Sequence, residues 1–380
     1  MQNVRIVLAI GLFLPGAVWT QNVHIERQPC RMPDCFDFSR CSSSKKLYIH
    51  PMEKRFEDSP QSQIYTKILK HYQESDHYTN DPNEACIFLL GIDTTDRDIR
   101  SQNYVKNVPD YIDSLDPAVW NNGRNHLIFN FYHGTFPDYD DHNLNFDTGE
   151  AMIARASSSD KNFLKGFDIS LPLFHENHPF QIESQLDEGH AKNKGSRKYL
   201  VSFKGKRYVY GIGSGTRNLV HHLHNGEDIV MVTTCKHNSD WQAYQDDRCQ
   251  GDNNEYDRWE YDDLLANSTF CLVPRGRRLG SFRFLETLRS GCIPVVISDS
   301  WVLPFSETTD WNSAVIVVAE RDALSIPELL MSTSRRRVKE LRESAREVYD
   351  RHLRSIQVIS DHVLKIISKR IDDHFKQQHR

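Results

Sequence analysis

The sequence lacks a surplus of either charge. Its 47 lysines and arginines stand against 52 acidic residues, a net charge of −5 over 380 residues. That balance excludes the global polycation that holds nucleic acid without sequence preference. Low-complexity tracts and internal repeats are absent, so a solenoid or a largely disordered protein is excluded as well. There is no GxSxG elbow, no HExxH and no phosphate-binding GxxxxGK[ST], which removes α/β-hydrolase esterases, metalloproteases and P-loop nucleotide triphosphatases. None of the eight cysteines falls into paired CxxC motifs, so no zinc site is expected. Long hydrophobic runs are missing too, with one exception. Arg5 precedes an apolar stretch from Ile6 to Trp19, shorter than the roughly 20 residues of a spanning helix and typical of a signal-peptide core. Residues 1–20 are expected to be a signal peptide cut near Gly16–Thr20 or an uncleaved signal anchor of single-pass type II topology. Either puts the remaining chain in the lumen of the secretory pathway.

The cysteine usage fits that compartment. Local pairing would join Cys30 with Cys35, Cys235 with Cys249 and Cys271 with Cys292, leaving Cys41 with Cys86. Connectivity is not fixed by sequence, and buried free thiols are the other reading. The one glycosylation sequon, Asn267-Ser268-Thr269, marks Asn267 as an acceptor.

The most informative stretch runs from Thr269 to Glu307 and reads as strand, cationic loop, helix, strand. Phe270 to Val273 is a short apolar run ended by Pro274, as a buried parallel strand would be. Arg275, Arg277 and Arg278 crowd around Gly276 and Gly280, before a helical run carrying Phe282, Leu285 and Leu288. Gly291 stops that helix, and Cys292 to Ser298 is a second strand. Guanidinium groups beside a helix N-terminus make an anion site, because unpaired N–H groups and the positive dipole end point the same way. Glu286, one turn into the helix, is placed to accept hydrogen bonds from ribose hydroxyls. Arginines before a helix are otherwise plain surface, and Arg283 with Glu286 an ordinary same-face pair. The buried-type strands on both sides favour a nucleotide site.

The length suggests two domains. Residues 21–45 read as a lumenal stem tied by disulfides. Residues 46–190 read as an N-terminal Rossmann-like, acceptor-side domain, with strands at Leu47–His50, Ala85–Leu90 and His126–Tyr132 and a helix at Gln63–Tyr72. The polar segment Glu183 to Arg197 separates it from a second Rossmann-like domain, 196–332, which would carry the nucleotide site. There Tyr199–Phe203 is a strand, followed by the loop KGKRYVYGIGSGTRN, a helix through Leu219–His224 and a strand at Asp228–Thr233. Residues 333–380 read as C-terminal helices with an apolar stripe at Val338, Leu341, Ala345 and Val348, lying on their own domain. Such βα alternation implies parallel sheets covered by helices. The expected fold class is therefore α/β, of the two-domain GT-B glycosyltransferase type. Both cationic loops would face one cleft at the carboxyl ends of strands.

In that cleft Arg207, Arg275 and Arg278 could neutralise a pyrophosphate and stabilise a nucleoside diphosphate as leaving group. A transferase also needs a base for the acceptor hydroxyl. Asp138, Asp140 and Asp141 in YHGTFPDYDDHNLNFD are candidates by position. Each alone is more often a turn or cap residue. Asp138-Tyr139-Asp140 matches the acidic pair that holds manganese in the other common transferase fold, but two arginine-rich loops make a metal unnecessary. Asp96 and Asp98 in DTTDRD warrant the same caution. His221, His222 and His224 have no acidic ligand spaced for a metal and read as surface.

Four segments, NNGRNHLIFNFYHGT (121–135), SFKGKRYVYGIGSGTRN (202–218), EDIVMVTTCKH (227–237) and NSTFCLVPRGRRLGSFRFLE (267–286), closely resemble the exostosin family. The resemblance runs from about Cys30 to the end. It implies a lumenal GT-B enzyme of the endoplasmic reticulum and Golgi, acting in heparan sulfate biosynthesis. Such an enzyme transfers glucuronic acid from UDP-glucuronic acid to a chain ending in N-acetylglucosamine, without a required cofactor. By the motif, Arg207, Arg275, Arg277, Arg278, Ser281 and Glu286 would surround UDP. Family members of this type resemble a two-enzyme chain with a second transferase domain, whereas this sequence stops at Arg380. A longer two-domain exostosin subunit is thus the expected partner and the heparan sulfate chain the acceptor. No role with nucleic acid is expected. Because some first modules in such pairs are not catalytic, a non-catalytic subunit that stabilises or activates the partner is the rival reading.

Overall fold

The computed structural model of the protein describes residues 27–42, 44–136, 138–174, 197–237 and 240–378. The expected signal segment and nearly all of the polar separator, Arg197 excepted, lie outside them. The described residues form two five-stranded sheets. The first contains β1 (Lys46–Ile49), β2 (Ala85–Leu89), β3 (His126–Asn130), β4 (Met152–Ala156) and β5 (Ile169–Leu171), in that order. The second contains β6 (Tyr199–Lys206), β7 (Ile229–Thr234), β8 (Ser268–Pro274), β9 (Ile293–Ile297) and β10 (Ile316–Val317), in the order β10-β9-β8-β6-β7. Every strand pairing is parallel. Strands β2, β3, β4, β5, β7 and β9 are buried at every position, because helices cover both faces of a parallel sheet. This is the GT-B arrangement, α/β with two Rossmann-like halves.

Several elements depart from expectation. Strand β6 continues past Phe203 to Lys206, pairing Lys204 with Val232 and Lys206 with Thr234. Lys204 and Lys206 are therefore strand residues and not the start of a loop. The strand sits between β7 and β8 and has ladder partners on both sides. Residues 30–41, expected in a stem, are built into the first half instead. Cys30, Met32, Phe36 and Phe38 are buried in its core, and Asn125 Nδ2 donates to Asp37 O at 2.9 Å. Four disulfides join Cys30–Cys35, Cys41–Cys86, Cys235–Cys249 and Cys271–Cys292.

The C-terminal helices also part company. Arg335–Val348 packs by Leu341 and Ala345, and a turn of wider pitch at Tyr349–Leu353 leads on to Ile356–Gln378. That last helix crosses back to the first half rather than lying on its own. Tyr72, from the helix Gln63–Gln73, donates its hydroxyl to Ser360 O at 2.9 Å. Ile359, Val363, Ile367 and Ile371 share a core with Tyr65 and Ile68. No described helix is long and apolar enough to cross a membrane.

Candidate functional site

Proline ends β8, and the loop beyond it turns its arginines toward the first half. Arg278 Nε donates to His133 O at 2.8 Å, and its Nη2 reaches the Asp98 carboxylate and Gly134 O, both at 2.8 Å. Arg277 Nη1 donates to the Tyr139 hydroxyl at 2.7 Å. Its guanidinium carbon lies 5.3 Å from the centre of the Tyr139 ring and 5.1 Å from that of Tyr208. Asp98, His133 and Tyr139 follow β2 and β3, so the carboxyl ends of both sheets meet here. Arg275 stays within its own half, with Nη1 3.7 Å from Glu320 and Nε donating to Gly276 O at 3.2 Å.

The loop after β6 is pressed against this one. Gly213 has φ +79°, and a Cβ there would lie 2.3 Å from Gly276 O, so neither backbone conformation nor space admits a side chain. Arg217, from the helix Ser214–His221 that follows, ties the loops together by donating to Arg275 O at 3.0 Å and to Lys206 O.

Arg207 is not part of the cluster, which corrects the expectation for it. It is 1% exposed. Its guanidinium donates to Asp246 at 2.8 and 2.5 Å and to Asp252 at 2.6 Å. A buried cation needs a counter-charge at hand, and these two aspartates supply it.

The helix expected to open on the anion site spans only Arg283–Arg289, so its dipole contributes little. Glu286 does not pair directly with Arg283. Its carboxylate accepts a hydrogen bond from the Tyr261 hydroxyl, which in turn accepts one from Arg283 Nη1 at 3.0 Å. Arg283 also donates to Lys204 O and lies 4.6 Å over the Phe203 ring. Burial, with the Glu286 charge beyond it, pushes the Tyr261 hydroxyl well up, so it stays a proton donor. Ser281 Oγ accepts from Arg283 N at 3.4 Å. Glu286 and Ser281 are thus linked through Arg283 and sit on the second half alone.

The three aspartates separate by environment. Asp141 is 8% exposed and accepts from Ser159 N at 2.7 Å, Ser159 Oγ at 3.1 Å and Asn162 Nδ2 at 2.6 Å. Those bonds, with Arg155 nearby, hold it ionised against its burial. A carboxylate so engaged is a loop brace and a poor base. Asp140 accepts from His142 N at 3.0 Å and pairs with the His142 ring. Asp138 alone of the three is exposed. Close by, His133 is pushed down to about 3 by burial and by the Arg155 charge.

Sequence reasoning passed over Asp98, Tyr139 and Tyr261 as site residues. Only the DTTDRD motif carried any signal for them. His221 lies on the helix as expected but half-buried, and His224 Nδ1 accepts from Met231 N at 3.0 Å. Asn267, the sequon residue, is half-buried and donates Nδ2 to Asp263 O at 2.8 Å.

Two parallel Rossmann-like sheets whose carboxyl ends meet through an arginine-bearing loop define the fold of the GT-B glycosyltransferase class. Within that class the exostosin GT47 domain matches residues 41–333, and the chain belongs to the exostosin family. It is 82% identical over 374 residues to the exostosin-1 homolog of Caenorhabditis elegans, covering 98% of each chain. It is 49% identical over 354 residues to exostosin-1 of Drosophila melanogaster, covering 92% of this chain and 46% of that one. The chain thus spans nearly all of the first relative and slightly under half of the second. Among solved structures, Anabaena Alr3699/HepE in complex with UDP aligns with a TM-score of 0.45 at 7% identity, covering 86% of this chain and 100% of that one.

Proposed function

We propose that the chain is a glucuronosyltransferase-type subunit of heparan sulfate biosynthesis. In this reading it moves glucuronic acid from UDP-glucuronic acid to a chain ended by N-acetylglucosamine, alongside a longer exostosin. The observation that carries the reading is the arginine loop after β8, held where the carboxyl ends of both sheets meet. Ligands of open α/β sheets bind at that place. Arg275, Arg277 and Arg278 would neutralise the pyrophosphate without a metal, Ser281 and Glu286 would lie beside the nucleoside, and the exposed Asp138 would take the acceptor proton. The acceptor hydroxyl would attack the anomeric carbon as UDP leaves with the bonding pair, inverting the configuration. All eight cysteines are in disulfides, which fits an oxidising lumen of the endoplasmic reticulum or Golgi.

The rival, a non-catalytic subunit that stabilises or activates its partner, draws on a specific observation as well. Arg278 is already engaged with Asp98, and Asp140 and Asp141 are spoken for. The deciding experiment assays transfer of labelled glucuronic acid to an N-acetylglucosamine-ended oligosaccharide, by the full chain alone and with its partner. Transfer that disappears in Arg278→Ala supports catalysis. A mutant complex that polymerises normally establishes the subunit reading instead.

A further inference from the structure

Beside the arginine loop, the loops after β6 and β7 line a small aromatic pocket that shares only Arg277 with the proposed donor site. Tyr208, Tyr210, Trp241 and Tyr244 line it together with His237, Asp240 and Arg277. The space open to water-sized spheres is about 30 Å³, room for roughly two waters or hydroxyls, so a sugar ring would lie across the mouth and send only a substituent inside. At the mouth, Tyr210 and Tyr244 are 49% and 48% exposed, with ring centres 5.1 Å apart. Two aromatic rings exposed side by side form a contiguous apolar patch beside the polar cavity, the kind of surface that marks a ligand groove. The apolar C–H face of a pyranose suits such rings.

The polar groups narrow the ligand further. Arg277 pairs with no carboxylate among the described residues; its guanidinium rests on the Tyr139 hydroxyl and two aromatic faces. Both ring nitrogens of His237 are buried and lack a hydrogen-bond partner among the described residues. Burial, then Arg277, Lys206 and Arg217, drive the His237 ring down to about 4 against the opposing Asp240. The imidazole is therefore neutral, able to donate at one nitrogen and accept at the other, in a net positive field. A ring with an apolar face, hydroxyls and one carboxylate satisfies all of this at once.

We propose that the pocket lined by Tyr210, Trp241, Tyr244, His237 and Arg277 is a hexuronate subsite. The sugar stacks on the tyrosines, its carboxylate pairs with Arg277, and a hydroxyl enters the cavity to His237. This rests on the donor reading above only for the choice of sugars; the uronate could come from the donor or from the uronate preceding the acceptor's end.

Calorimetric titration of the full chain tests it with four probes. These are a tetrasaccharide of alternating glucuronate and N-acetylglucosamine, chitotetraose (which has no carboxylate), UDP-glucuronate and UDP. The variants are Tyr244→Ala and His237→Gln, checked for native circular dichroism. If the acceptor supplies the uronate, the alternating tetrasaccharide binds at least about tenfold more tightly than chitotetraose, and both variants lose that preference. If the donor supplies it, both variants weaken UDP-glucuronate and leave UDP unchanged within about twofold. Equal binding of the two tetrasaccharides, together with unaltered UDP-glucuronate affinity in both variants, overturns the proposal. A wild-type chain that binds no UDP overturns the donor reading separately, and the tetrasaccharide comparison then decides the subsite.

Discussion

Arg278 and Asp98 form an ion pair of 2.8 Å between the two halves, each side chain less than one-fifth exposed. It is at once a latch and an obstacle, since a phosphate bound by Arg278 must displace or share with the carboxylate. Asp98→Asn should therefore separate the two roles. The latch is worth about 1 kcal/mol after screening, so the melting temperature should fall only slightly. UDP affinity should rise, because a competing anion has gone. Thermal melts and UDP titration on the same preparation check both. A fall in UDP affinity would mean that Asp98 orients Arg278 rather than competing for it.

Arg207 should prove structural. Asp252→Ala strips one counter-charge from a buried guanidinium that retains Asp246, which costs about 3 kcal/mol. Urea unfolding should show that loss, while UDP affinity below the transition stays the same. A selective loss of UDP binding with stability intact would return Arg207 to the ligand.

The contact between the two second-half loops is tight enough to test with one methyl group. Gly213→Ala meets both a positive φ and Gly276 O at 2.3 Å. The arginine loop must shift, and UDP affinity is expected to drop by about tenfold or more. Gly211→Ala is the control, because it shares the positive φ but has nothing within 4 Å.

Stability should fall in mild acid. His50 and His126 face each other with Nε2 atoms 2.9 Å apart, against the Phe88 and Trp120 rings. Burial pushes them down to about 4 and about 3, the second also through the charges of His50 and Arg40. Their folded values lie below the unfolded one near 6.5, so the unfolded chain binds more protons as pH drops. The stabilisation is complete above about pH 6.5 and is lost as pH falls toward 4, at up to about 1.4 kcal/mol per pH unit for each proton. Chemical denaturation between pH 7 and 4.5 measures the slope, which His126→Gln should reduce.

How much of this was legible varied with the reach of the signal. The strand-loop-helix-strand around Arg275 to Glu286 was plain, because apolar runs, Pro274 and Gly291 punctuate it within 40 residues of chain. Strands β4 and β5 were not, since five and three residues interrupted by Arg155 and Ser170 carry no periodicity. The assignment of Arg207 failed for a different reason. Its partners lie 39 and 45 residues away, and a cation after a strand looks the same whether a ligand or an aspartate neutralises it. Tyr261 was equally silent, because only folding brings it between Arg283 and Glu286.

The helix Ile356–Gln378 contributes Ile359, Val363, Ile367 and Ile371 to a core begun by Tyr65 and Ile68. During synthesis, then, the half that emerges first has no lid until the segment 356–378 leaves the ribosome. A chain growing from its N-terminus must hold that open apolar face while the entire second half is made, guarded meanwhile by the folding machinery of its compartment. Early exit from translation would leave the upstream half unfinished, even though every strand of its sheet had already been made.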